Sequence, residues 1–261
     1  KFSPTALGTY EECPKQFEFA YLLKPEVQEA PSPHLIVGNA VHEALAFFYR
    51  LPVEERSEAV LHQALRACWA RIPDRKLAFL DEEEERSWGL RTLDALSDYA
   101  RRYDLGIRPL MVEDWIEARL PNGRWICGRT DRIDRAHGPE PGIEVIDYKT
   151  GRCRIGDEDV SDLISARVYA LAATRTLNRP VVRVRFIYVG EGVERSWSPQ
   201  AGDLAAIEDE LAALTEQVAA TEVFEPRPAR MRCRWCPFAS LCPAMDDVSL
   251  EELGGASEVV F

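Results

Sequence analysis

The chain has 261 residues, 46% hydrophobic and 29% charged, enough apolar content to bury the core of one large domain or two small ones. Its net charge of −12 excludes a protein that coats nucleic acid by bulk attraction, but not one with a local basic groove. No window approaches the roughly 18 uninterrupted apolar residues of a membrane span. No basic start precedes an apolar signal segment, so the expectation is a cytoplasmic protein without membrane contact.

Ser3–Pro4 is a helix start, with serine as cap and proline at the first helical position, and the helix is expected to run to about Leu23. After a proline-marked loop, a second helix from about Leu35 to Leu51 carries Val37, Ala40, Val41, Ala44, Leu45 and Phe48 on one face, with His42 inside it. Two more helices follow, about Ser57–Arg71 and Glu82–Tyr103. The period then changes. Met111–Leu120 and Arg124–Arg135 read as strands around the hairpin signal Asn122–Gly123. A third strand, Ile143–Lys149, is apolar on both faces and therefore central. A helix of about Val160–Leu177, strands Val181–Val189 and Glu194–Ser198, and a helix Asp203–Ala220 complete the pattern. The tail from Glu225 is rich in Pro, Arg and Cys and has no clear periodicity. The order predicts an α/β fold, a mixed central sheet flanked by helices and preceded by a helical insertion.

Strand alternation puts Ile143, Val145, Asp147 and Lys149 on one face. A core strand has no structural need for a carboxylate and an ammonium two positions apart. A catalytic site does: the carboxylate can hold a divalent metal, and the lysine can sit over a water or a phosphate. The same parity puts Arg129, Asp131 and Ile133 together, so Asp131 is a second inward carboxylate that can converge with Asp147 on one cation. His42 would add a nitrogen ligand, favouring Mn2+ somewhat over Mg2+.

Seven cysteines, an odd number, speak for free thiols or metal ligands and against a disulfide framework. Cys233, Cys236 and Cys242 fall within ten residues beside Pro237 and Pro243, and Cys13 is the candidate for a fourth ligand. Four thiolates suit either Zn2+ or an iron–sulfur cluster. Cys68, Cys127 and Cys153 read as ordinary buried or half-buried thiols.

The strings Gly38–Asn39–Ala40–Val41–His42–Glu43, Gly128–Arg129–Thr130–Asp131–Arg132–Ile133–Asp134 and Val145–Ile146–Asp147–Tyr148–Lys149–Thr150–Gly151, in this order, resemble the PD-(D/E)XK nuclease superfamily and specifically its RecB-like and AddB-like exonuclease branch. The resemblance implies a restriction-endonuclease-like fold and a metal-dependent deoxyribonuclease. It implies that Asp131, Asp147, His42 and the Tyr148 carbonyl hold Mg2+ or Mn2+ and that Lys149 orients the attacking water. In the family's Gln-x-x-x-Tyr element Tyr169 matches as a site residue, but Ser165 stands where glutamine is expected. The resemblance also selects a [4Fe–4S] cluster on Cys13, Cys233, Cys236 and Cys242, with zinc as the alternative, stapling the tail to the N-terminus. Arg152, Arg167, Arg230, Arg232 and Arg234 become the expected DNA contacts. Single-stranded DNA is the favoured substrate, and the implied settings are DNA repair, recombination or CRISPR adaptation, with a helicase or another protein of those systems as partner. The expected layout is one nuclease domain over 1–261: an insertion at about 35–105, a core at about 108–221, and a cluster module of 225–245 plus Cys13. The competing expectation is a catalytically weak, nuclease-like DNA-binding module serving a helicase.

Overall fold

The computed structural model describes residues 1–27, 31–137, 141–200 and 202–245. Ser3 caps α1 (Pro4–Glu12), its hydroxyl accepting from the Ala6 N–H at 3.1 Å. The expected helix to Leu23 does not run through. Pro14 disfavours helical backbone at the residue before it, so Cys13 is extended at φ −157°. The chain restarts as α2 (Pro14–Phe17) and a π-helical turn, Glu18–Leu23. Three longer helices follow, α3 (Pro33–Arg50), α4 (Glu58–Arg71) and α5 (Glu82–Arg102), capped by Ser32, Ser57 and Asp81. Four glutamates fill the first turn of α5, where the helix dipole favours negative charge.

The sheet comes next, with strands β1 (Met111–Arg119), β2 (Trp125–Arg135), β3 (Ile143–Lys149), β4 (Val181–Tyr188) and β5 (Val193–Trp197) lying side by side in that order. All neighbours are antiparallel except β3 and β4, whose parallel pairing needs a crossover, and α6 (Ile164–Leu177) supplies it. The expected start of this helix at Val160 is a separate short turn, Val160–Asp162. α7 (Asp203–Ala220) follows β5, and the tail carries one short helix, α8 (Arg230–Arg234).

Both faces of the sheet are covered. On one, Ile143, Val145, Val184 and Phe186 pack with α6, α1 and α7 through Val168, Leu171, Leu7 and Leu211. On the other, Ile146, Tyr148 and Ile187 pack with α3, α4 and α5 through Leu45, Phe48, Leu61 and Leu96. β3 is therefore buried on both sides, the reason its apolar run is nearly continuous.

The alternation breaks at one level of the sheet. Met111 and Ile116 of β1 pack into the same core although an odd number of residues separates their positions, and so do Ile126 and Ile133 of β2. Strict alternation would send each such pair to opposite faces. The register between Val112↔Arg132 and Asp114↔Thr130 sets Glu113 opposite Asp131 at the level of the break. Glu113 has φ 52°, a left-handed conformation that a non-glycine residue adopts at a cost. The ladder between β2 and β3 also ends at Arg132↔Ile146, short of Asp131 and Asp147. The sheet opens here, and its polar side chains turn into the opening.

Candidate metal centre and active site

Asp131 is the hinge of the site. One carboxylate oxygen, Oδ2, accepts the Tyr148 N–H at 2.6 Å, the backbone donor that the shortened ladder releases. The other, Oδ1, lies 2.9 Å from His42 Nδ1. α3 delivers His42, and Gly38, one turn earlier, lies beside Thr150 just past the end of β3, where a Cβ would stand 3.4 Å from Thr150 Oγ1. The left-handed turn at Glu113 brings in a third group, and ligand atoms of His42, Glu113 and Asp131 lie within 4.8 Å of one another. Arg129 Nε holds Glu113 Oε2 at 2.8 Å. Burial, with Asp131 alongside, pushes the Glu113 carboxyl above the usual carboxylate range. Burial lowers the His42 pKa, but the Asp131 hydrogen bond and the charges of Asp131, Asp147 and Glu113 outweigh it and hold the imidazole above its ordinary value.

Asp147 stands beside this group at 5% exposure. Tyr169 of α6 donates its hydroxyl to Asp147 Oδ1 at 2.9 Å, directly and without a contribution from Ser165. Lys149 Nζ approaches Asp147 Oδ2 at 2.6 Å as an ion pair, but Oδ2 has no hydrogen bond of proper geometry and remains able to accept another ligand. Burial raises the Asp147 pKa against the pull of Lys149. For Lys149 burial works downward, and the charge and hydrogen bond of Asp147 overcome it, so the ammonium form is held. Two carboxylates and an imidazole, with a third buried carboxylate paired to Lys149 beside them, form an oxygen-rich, partly nitrogenous donor set that fits Mg2+ or Mn2+.

Beneath the site lies a polar network that sequence reasoning missed. Arg132 is 2% exposed. Its Nη1 donates to the Tyr148 hydroxyl at 2.8 Å and the Tyr99 hydroxyl at 3.0 Å, and its Nε to Asp134 Oδ2 at 3.0 Å. The guanidinium also lies 4.2 Å from the centre of the Tyr49 ring. Arg132 thereby fixes Tyr148, whose N–H fixes Asp131. Glu113 was missed as well. Its only trace in the sequence is the charged pair Glu113–Asp114 between two apolar pairs, Met111–Val112 and Trp115–Ile116.

Cys13, after α1, and the described part of the tail come together at a second centre. Cys13, Cys233, Cys236 and Cys242 line one small pocket with Phe19 and Phe238. Cys13 Sγ accepts the Arg227 N–H at 3.4 Å and Cys233 Sγ the Ala229 N–H at 3.3 Å. Burial raises the Cys236 thiol, and the neighbouring Cys13, Cys233 and Cys242 add to the effect. Among the described residues no three of these sulfurs lie within 4.8 Å of one another. Around a single zinc, with bonds of about 2.3 Å, tetrahedral sulfurs stand about 3.8 Å apart. Cys68 is buried, and Cys127 and Cys153 are half-buried.

The five arginines expected at DNA divide. Arg152 is exposed on the loop after β3. Arg167 is engaged inside the molecule, with the Ser161 carbonyl at 2.8 Å and Glu210 at 3.1 Å. Arg232 Nη1 donates to the Glu12 carbonyl at 2.6 Å and the Arg227 carbonyl at 2.8 Å, tying the tail to α1. Arg230 opens α8, and Arg234 closes it over the Trp235 ring. Arg129, Arg50 and Arg71, which were not expected there, line the cleft above His42 and Glu113.

Among solved structures, that of SSO0001 matches 92% of this chain and 95% of its own at 17% identity, with a TM-score of 0.37, too low to carry an argument. No curated protein matches the chain. The family model of the PD-(D/E)XK nuclease superfamily matches residues 1–243, a range that covers nearly all of the described chain, and the chain belongs to that superfamily.

Proposed function

We propose that this chain is a metal-dependent deoxyribonuclease that hydrolyses single-stranded DNA from an end. The observation that carries the reading is the convergence of His42, Glu113 and Asp131 within 4.8 Å beside the Asp147–Lys149 pair. His42, Asp131, Asp147, Glu113 and the Tyr148 carbonyl would hold the metal. Bound there, Mg2+ or Mn2+ would supply Lewis acidity toward a phosphate oxygen and a water. Lys149, an ammonium on the rim of the site, donates to that water or to a phosphate oxygen and offsets charge that develops in the transition state. Tyr169 keeps Asp147 oriented. Arg50, Arg71 and Arg129 line the cleft, the last two paired with Glu43 and Glu113, and offer guanidinium groups to phosphates on a chain whose net charge is −12.

The four cysteines hold a [4Fe–4S] cluster in this reading. Their lining of one pocket supports a single shared centre, with zinc as the alternative occupant. The cluster replaces the packing that an aperiodic tail cannot supply. Residues of about 35–105 act as an insertion over the sheet, 108–221 as the nuclease core, and 225–245 with Cys13 as the cluster module. The setting is DNA repair, recombination or CRISPR adaptation, beside a helicase or similar partner in the cytoplasm.

The test is digestion of end-labelled single-stranded DNA by anaerobically purified protein with Mn2+, set against a chelator control. Metal-dependent loss of the label is expected. Ser165, in the position of the family's glutamine, is the one feature that favours a DNA-binding module without cleavage. Tight binding with no turnover under Mn2+ or Mg2+ would establish that second reading instead.

A further inference from the structure

α3 and α5 enclose an aromatic and cationic stack outside the metal site. The Arg91 guanidinium lies 4.6 Å from the centre of the Trp88 ring. His34 meets the same ring edge-on, with centroids 5.0 Å apart and an interplanar angle of 83°. His34 and Arg91 are exposed and Trp88 is half-buried. The stack borders a pocket whose opposite wall is Thr150, Gly151 and Arg152, the residues that follow Lys149 off the end of β3. Val37 and Val189 give that pocket an apolar floor. His34 also lines the neighbouring pocket that contains His42, Glu113 and Asp131. The two pockets are thus neighbours that share His34, in the first turn of α3, as a lining residue.

We infer that this pocket is a base-stacking subsite for single-stranded DNA, one that holds an unpaired nucleotide next to the scissile phosphate. The inference rests on the nuclease reading for its substrate class. A nucleobase extends the Arg91–Trp88–His34 stack, since every base offers a π face to aromatic rings and guanidinium planes. Arg91 and Arg152 receive the flanking phosphates. A duplex cannot use the subsite, because its bases are already stacked on one another. The arrangement therefore supplies selectivity for unpaired strands without reading sequence.

The experiment measures binding in chelator, so that it does not depend on cleavage. Anisotropy of a labelled single strand is followed for the wild type, Trp88→Ala, Trp88→Phe and Arg91→Ala. Trp88→Ala should weaken binding about 5- to 150-fold, the range for loss of one base–aromatic stack. Trp88→Phe should stay within about threefold of the wild type, and the exposed Arg91→Ala change should cost several-fold without affecting the melting temperature. An abasic nucleotide moved along the strand should lower wild-type affinity at one position, and Trp88→Ala should erase that dependence. A structural role for Trp88 would not produce the positional effect. Unchanged affinity in both Trp88→Ala and Arg91→Ala, or an abasic scan with no special position, overturns the subsite. Either result is compatible with Mn2+-dependent cleavage. Absence of cleavage in the wild type would instead strike the nuclease reading while leaving the binding result to stand.

Discussion

Glu113 occupies a left-handed conformation in the middle of a strand, at φ 52°. Replacing it with alanine or with glycine deletes the same carboxylate but treats the backbone differently. Alanine keeps the steric conflict of Cβ with the following carbonyl, a cost of about 1–2 kcal/mol. Glycine removes it. In an ordinary strand interior the order is opposite, glycine being worse than alanine by about 0.5–1 kcal/mol. At the middle of these ranges the strain outweighs the entropy term, and Glu113→Gly should be more stable than Glu113→Ala by roughly 0.75 kcal/mol. For a chain of this size each kcal/mol is about 2–4 °C in melting temperature. Loss of the Arg129 ion pair is common to both variants and small, since Arg129 is 56% exposed. Melts in chelator read the backbone effect, and Mn2+ titration reads the ligand. Both variants should bind Mn2+ at least tenfold more weakly than the wild type. Alanine equal to or better than glycine would refute the strained geometry, and wild-type Mn2+ affinity in either variant would refute Glu113 as a ligand.

Arg132→Ala leaves Asp134 buried without its cation and should destabilise the fold by about 3–5 kcal/mol, with partial recovery on adding Asp134→Asn; denaturant melts that show no loss would dismiss the buried network. Cys13→Ala should lower both iron content and thermal stability, whereas Cys68→Ala should lower neither the iron nor its colour; equal iron in the two would break the link between Cys13 and the tail. Protons compete with metal at His42 and Glu113, both held above their ordinary values. Mn2+ affinity should therefore rise with pH through the carboxylate range and beyond about 6.5, the ordinary histidine value. A flat calorimetric affinity between about pH 5.5 and 7.5 would remove His42 from the ligand set.

The parts of this molecule that obey period two or 3.6 were readable. β3 announces itself through Ile143, Val145, Ile146 and Tyr148, and alternation sets Asp147 and Lys149 on the side that α6 covers. α7 begins and ends at its expected residues. Period reasoning failed where backbone conformation departs from the regular. Glu113 flips the alternation of β1, so no face assignment could bring it to Asp131. Cys13 breaks a helix whose composition favours continuity, and the local signal was the proline after it. Arg132, which carries no mark of burial in the sequence, is a buried anchor, because Tyr49 and Tyr99 from two distant helices supply its environment. Pairings across such separations are tertiary facts. The motif strings marked Asp131 and His42, but only the folded chain shows Asp131 bridging the Tyr148 N–H and His42.

Lys149→Ala, compared with the wild type and with Asp131→Ala, tests the central claim most directly. Single-turnover cleavage of end-labelled single-stranded DNA and Mn2+ titration are measured on the same preparations. The account predicts that Lys149→Ala keeps Mn2+ affinity within a few-fold and loses about 100- to 1,000-fold in rate, as when one transition-state donor is removed. It predicts that Asp131→Ala loses metal binding and cleavage together. A Lys149→Ala variant that cleaves at the wild-type rate, or an Asp131→Ala variant that still cleaves with Mn2+, would contradict the assignment of this site as a metal-dependent nuclease centre.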